Sequence, residues 1–215
     1  MALRELTVEQ FGDHLASAEP VPGGGSASAV AASLAASLLV MVARLSLDRP
    51  KYAAYQETIQ RAVTAGEAAR VRFLDLADED AAVYAGFAEA MKLPRDDEAQ
   101  AAERQSRMQA GARGAAEVPA VILRETTRLV DEIHSLAGRS NLNAASDLRV
   151  ASLLAEAAGK GAAANVLVNL PMVGDDLFAG QMTAQVQRFL SELEQGVRRV
   201  AELVAGGELR EPERR

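Results

Sequence analysis

Apolar residues recur at spacings of three and four along most of the chain, which predicts helices with one buried face. "TVEQ" at 7–10 is a capping-box pattern and opens a short amphipathic helix through about residue 16. The stretch "VPGGGSASAVAASLAASLLVMVARLSL" follows at 21–47, with Ser26 a good N-cap for a helix of small and apolar residues over 26–47. "DRPKY" breaks the chain at Pro50, and a long helical pattern covers 52–91. Pro94 and "RDDEAQ" end that helix and start a fourth, capped by Asp96 or Asp97 and running to about residue 117. Pro119 marks the start of a fifth helix that stops near Gly138. The polar segment "RSNLNAASD" reads as a loop delivering Ser146 to cap a sixth helix over 147–170, which Pro171 stops. "VGDD" opens the last helix, where Phe189, Leu190, Leu193, Val197, Val200 and Val204 keep helical spacing. The expectation is a single all-α domain over 1–205, a bundle of about six or seven helices around a buried small-residue central helix, with a frayed tail over 206–215.

Composition sharpens this picture. The 215 residues suit one domain with a substantial core, and they are 49% hydrophobic but only 4% aromatic, with no tryptophan and much alanine. Alanine supplies helix propensity and little bulk, so the helices must approach closely, and a β-rich fold is excluded. The apolar run over 27–43 is short for a bilayer and is interrupted by Ser28, Ser33 and Ser37, so a buried central helix, and no membrane association, is expected. The N-terminal "MALRELTVEQFGDHLAS" lacks the apolar stretch of a signal peptide, and cytoplasmic residence is the expectation. A net charge of −7 with no basic block argues against nucleic acid. The absence of cysteine removes disulfides and thiolate metal sites, and His14 and His134 lack ligand-spaced neighbours, so no metal is expected.

Three features carry candidate chemistry. The first is the loop of Gly23, Gly24, Gly25 and Ser26. Its glycines allow backbone conformations that other residues resist, and a helix N-terminus can hold an anion or a polarised oxygen. No lysine with a following Ser or Thr succeeds the glycines and no strand precedes them, which removes the nucleotide-binding loop and the dinucleotide fingerprint; a tight turn and a ligand loop both stay open. The second is the long helix. Asp80 falls inside an apolar stripe of Phe73, Leu76, Tyr84, Phe87 and Met91, and Asp78 falls inside an opposite stripe of smaller residues. The two point about 200° apart at 100° per residue, so they form no pair on this helix. Each implies a partner or a task, either an ion pair or a catalytic carboxyl whose pKa partial burial lifts; Asp78 is favoured for the latter because small neighbours leave room for a ligand. The third is Asn165 and Asn169, one turn apart on an inward face, which either knit helices together or grip a heterocycle edge.

Together, "PVPGGGSASAVAASLAASLLVMVARLSL", "LADEDAAVYAGFAEAMKLP" and "NLNAASDLRVASLLAEAAGKGAAANVLVNL" resemble the cyclodeaminase domain of the formiminotransferase-cyclodeaminase family, which also includes stand-alone bacterial methenyltetrahydrofolate cyclohydrolases. The likeness covers nearly the whole chain. It implies an all-helical homodimer that takes a tetrahydrofolate derivative as substrate, with no tightly bound cofactor. It also implies catalysis by an aspartate of the segment carrying Asp78 and Asp80. Gly23, Gly24, Gly25 and Ser26 match the family's glycine loop, Asn141, Ser146 and Asp147 match its "NL…SD" segment, and Asn165 and Asn169 match its "NVLxNL" segment. The expected reaction closes 5-formiminotetrahydrofolate to 5,10-methenyltetrahydrofolate with release of ammonia. Cyclohydrolase chemistry at the same site is an alternative, and a non-catalytic folate-binding or helical interaction protein is a second. No formiminotransferase segment lies within these residues, so a separate partner would supply that step.

Overall fold

In the computed structural model, which describes residues 2–213, six α-helices carry the fold: α1 (Val8–Leu15), α2 (Gly24–Arg44), α3 (Gln56–Met91), α4 (Glu98–Leu136), α5 (Ala145–Asn169) and α6 (Asp176–Gly206). No strand occurs among the described residues, in line with the all-α expectation. α2 lies at the centre, packed between α3 and α5 with α4 behind it, and α6 closes the bundle against α4 and α5. The close approach follows from the side chains: Ala29, Ala32, Ala35 and Ala36 of α2 are fully buried, as are Ala151, Ala155 and Ala162 of α5. α2 is long and apolar enough to cross a membrane by length and composition, yet 61% of its most apolar window is buried inside the bundle. Leu39, Phe73, Ile122, Leu123 and Leu193 fill the space that alanines leave.

The helix starts obey local chemistry. Thr7 and Gln10 form a reciprocal capping box at 3.1 and 2.9 Å, Asp97 accepts from the Gln100 amide at 2.8 Å, and Asp175 accepts from Phe178 at 2.9 Å. Three boundaries differ from expectation. α2 begins at Gly24, with extended Gly23 as its cap, so Ser26 lies within the first turn. α5 begins at Ala145 after a 3-10 turn, so Ser146 is a first-turn residue and caps nothing.

The third difference is the largest. Residues 98–136 form one helix with Pro119 in its interior, where a break was expected. An interior proline costs about 3 kcal/mol relative to alanine. Burial of neighbouring Ile122 and Leu123, each worth about 1.5–3 kcal/mol, favours keeping the helix in register with the core across the proline.

The described part of the tail is docked, contrary to the expected fraying. The Arg210 amide donates to the Gly138 carbonyl at 2.8 Å, the Tyr55 hydroxyl donates to the Arg210 carbonyl at 2.8 Å, and Glu213 meets Arg61 at 2.8 Å and Arg139 at 3.2 Å. Arg139 is only 8% exposed, and a guanidinium so placed needs a counter-charge that the tail supplies. Residues 214 and 215 lie outside the described residues.

Candidate functional site

The N-terminus of α2 meets the middle of α3 and the C-terminal end of α5 around a cavity of about 210 Å³, lined by Gly23, Gly24, Gly25, Asp80, Tyr84, Ala115, Asn165 and Asn169 among others. The glycines matter here through the space they leave. Gly23 is extended, and none of the three has a positive φ, so the anticipated unusual backbone conformation is not their reason. A β-carbon on Gly25 would stand 2.1 Å from Asp80 Oδ1, and one on Gly24 would stand 3.1 Å from Asn165 Nδ2. Glycine therefore lets the helix start press directly against a carboxylate and an amide.

Asp80 holds this end of α2. The Ser26 hydroxyl donates to Asp80 Oδ2 at 2.9 Å and lies 3.1 Å from the Ala77 carbonyl. Burial pushes the Asp80 carboxyl above the ordinary aspartate range, and hydrogen bonds from the Ser26 hydroxyl and backbone N–H offset this only in part. Ser26 is fully buried, so it acts on the carboxyl and does not face the cavity, in contrast to the expected substrate contact. Its single hydroxyl proton has two acceptors. When Asp80 is ionised the hydroxyl serves it; when Asp80 is protonated the hydroxyl turns to Ala77 and can accept from the acid. Both protonation states thus have a satisfied arrangement, a useful property in a proton carrier.

Asp78 is elsewhere. The Leu3 amide donates to its Oδ1 at 2.5 Å, beside an ion pair between Arg4 and Asp75, so Asp78 anchors the N-terminal segment. It borders a separate cavity of about 670 Å³ with Leu3, Leu6, His14 and Pro22. The small-residue stripe that favoured Asp78 faces outward, with Val71 40% exposed, while the stripe holding Asp80 contains buried Phe73, Leu76 and Phe87. Room for a ligand on the helical wheel was in fact proximity to solvent and to the N-terminal segment.

Asn165 donates to the Gly161 carbonyl at 2.8 Å, and Asn169 donates to the carbonyls of Ala115 and Asn165 at 3.0 and 2.7 Å. Both amides line the cavity, so the knitting and the ligand-facing alternatives coexist in one pair. Asn141, Ser146 and Asp147 are not brought to this cavity. The Asn141 amide donates to Ser46 Oγ at 2.8 Å, beyond the C-terminus of α2, about 30 Å from the glycines by the rise of a 21-residue helix. Ser146 is exposed in the first turn of α5 at that same end. Sequence reasoning passed over Tyr84 and Ala115 as cavity residues; an aromatic near Asp80 on the same stripe was the available signal for Tyr84.

The larger cavity between α3 and α4, about 520 Å³, is lined by Arg72, Glu125, Arg128 and Glu132. These are already paired, Arg72 with Glu79, Arg128 with Glu125 and Glu132 with Arg61, and the cavity contains no strained or convergent polar group.

A family profile described as Formiminotransferase-cyclodeaminase matches residues 7–188. The chain is 31% identical over 186 residues to a methenyltetrahydrofolate cyclohydrolase of Methylorubrum extorquens, covering 86% of this chain and 89% of that one. It is 34% identical over 191 residues to a formimidoyltransferase-cyclodeaminase of Sus scrofa, covering 89% of this chain but 35% of that protein, so it spans about a third of the animal relative. The crystal structure of a formiminotetrahydrofolate cyclodeaminase from Thermotoga maritima superposes with a TM-score of 0.86 at 29% identity, covering 95% of this chain and 98% of that chain.

Proposed function

We propose, from the premise that the chain belongs to the formiminotransferase-cyclodeaminase family, that it is an enzyme closing 5-formiminotetrahydrofolate to 5,10-methenyltetrahydrofolate with release of ammonia. The observation that carries the proposal is the partly buried Asp80 carboxyl, raised in pKa and held against Gly25 by Ser26 at the edge of a cavity. In this reaction folate nitrogen 10 attacks the formimino carbon on nitrogen 5 to form the new C–N bond. The bond from that carbon to the departing nitrogen then breaks. The proton lost by nitrogen 10 is the one the departing amine gains, and Asp80 takes it first and returns it second. A carboxyl with a raised pKa serves both steps better than a fully solvated one, because its acid and base forms lie closer in energy near neutrality. As a carboxylate it also stabilises the cationic amidinium and the delocalised methenyl cation.

The cavity is smaller than the roughly 300–1,000 Å³ of pockets that enclose a whole drug-sized ligand, so it suits one end of a folate with the remainder outside. The heterocycle end fits best, since Asn165 and Asn169 offer amide groups and Tyr84 offers a ring face.

A homodimer is part of the same proposal. α2 and α5 expose an apolar face that includes Leu34 at 52%, Met41, Leu45, Val150, Leu153 and Val168 at 66%. An uncharged face of this length is an association surface rather than a solvated one. A two-fold axis across the middle of α2 would set the glycine-loop end of one copy beside the 141–147 end of the other. Asn141, Ser146 and Asp147 would then reach a bound folate from the second copy. A separate formiminotransferase would supply the substrate.

The test is absorbance of the methenyl product, followed with 5-formiminotetrahydrofolate and with 5,10-methenyltetrahydrofolate in turn. Growth of the absorbance together with ammonia release supports ring closure. Decay of the methenyl compound alone supports the cyclohydrolase alternative, in which water attacks the same carbon. Tight binding without either change overturns both.

A further inference from the structure

Pro119 has no N–H, so the carbonyl of Ala115, four residues earlier on α4, lacks its helical donor. That carbonyl faces the cavity, and Asn169 Nδ2 supplies the missing hydrogen bond at 3.0 Å. The second Nδ2 proton goes to the Asn165 carbonyl at 2.7 Å. Turning the amide over would set its oxygen against two carbonyl oxygens, so the orientation is determined: nitrogen on the helices, oxygen away from them. Among the described residues no donor reaches Asn169 Oδ1, and it is not a sealed atom, since no buried polar side-chain atom lacks a partner. It is an acceptor left for whatever enters the cavity.

We infer that Pro119 is a positioning residue for the substrate. By withholding an N–H it reserves the Ala115 carbonyl for Asn169, and Asn169 then presents Oδ1 to the N–H or NH2 edge of the folate heterocycle. The inference rests on the folate reading above, and it assigns that reading's heterocycle to a donor edge meeting a fixed acceptor. An ordinary residue at 119 would offer its own N–H to Ala115 and free the amide to rotate.

Pro119→Ala tests this, because alanine is the best helix former and restores the backbone donor. The thermal midpoint should hold or rise, while Kd for 5-formyltetrahydrofolate weakens about tenfold, the loss of one well-placed hydrogen bond. In an Asn169→Ala background the same substitution should change Kd no further, because Pro119 acts through Asn169. The side-chain amide protons of Asn169, followed by 1H–15N NMR without ligand, should shift and exchange faster in Pro119→Ala. Unchanged Asn169 amide signals overturn the inference independently of folate. Unchanged Kd, or a Kd effect that persists without Asn169, also overturns it. If the amide signals move as expected but wild type takes up no reduced folate, the folate reading has failed and the assigned heterocycle edge goes with it, while the Pro119–Asn169 coupling is separately visible in the spectrum.

Discussion

Gly25→Ala measures how closely the glycine loop and the carboxyl are matched. The added β-carbon would lie 2.1 Å from Asp80 Oδ1 and 2.6 Å from Cγ and Oδ2, so the carboxyl must retreat by about 1 Å to reach an ordinary contact. The α3 backbone cannot supply that movement, because Leu76 and Ala77 are each 1% exposed against the core. The side chain must rotate instead, giving up the 2.9 Å bond from Ser26. A displacement of about 1 Å at a reacting group costs on the order of a hundredfold in rate. Overpacking of about 1–3 kcal/mol lowers the melting temperature by about 2–12 °C in a chain of this size. The assay is methenyl formation at saturating substrate, read beside a thermal melt. Gly24→Ala is the comparison, because its β-carbon meets Asn165 Nδ2 at 3.1 Å and needs only a slight shift. It should weaken folate binding more than it lowers the rate of ring closure. If Gly25→Ala stays folded and keeps kcat within about threefold of wild type, proton transfer by a tightly held Asp80 is refuted.

Asp80→Asn should lower kcat by about 10²–10⁴ without loss of stability at neutral pH, because the replacement amide can donate to Ser26 while Ser26 donates to Ala77. Burial raises the folded-state pKa of Asp80, so its favourable contribution is complete at low pH and is lost as pH rises through the folded value; melts at two pH values should show the variant gaining on wild type at the higher one. Asp78→Asn should leave turnover within about threefold while loosening the Leu3 contact, seen as earlier proteolytic cleavage of the N-terminal segment. Leu34→Glu places a charge in the exposed apolar face of α2 and should yield monomer by light scattering; a retained dimer argues for a different interface. Burial would raise the Glu213 pKa, but Arg61, Ser135 and Arg139 together hold it below the ordinary value, so its contribution is present above that value and is lost as pH falls through the folded one. Glu213→Gln should therefore lower the melting temperature at pH 7, with the difference closing in acid.

Much of the architecture was legible along the chain because it rests on local chemistry. The helical period, the Thr7 and Asp97 caps and the small-residue run of α2 each depend on neighbours within a few residues, and the alanine-rich composition required close helices. The three motifs carried the family resemblance, and the helical wheel separated Asp78 from Asp80, a separation the structure shares. Which aspartate meets the glycine loop was decided by long-range packing, since a periodic stripe reports that a face is distinct but not whether the core or an N-terminal segment covers it. Ser26 gave no sign of its partner, 54 residues away in the chain. Pro119 was misjudged for the same reason: locally a proline ends a helix, and only tertiary structure brings Asn169 to the carbonyl it leaves open, while the core holds both halves of α4 in line. The tail followed suit, because its polar composition favours solvent until the fold presents a nearly buried Arg139 that needs a carboxylate. Sequence determined the helices and their apolar faces, for which the interactions are near in the chain; tertiary structure decided the contacts of the polar groups, because a hydrogen bond or a counter-charge is satisfied by whichever partner folding brings within about 3 Å.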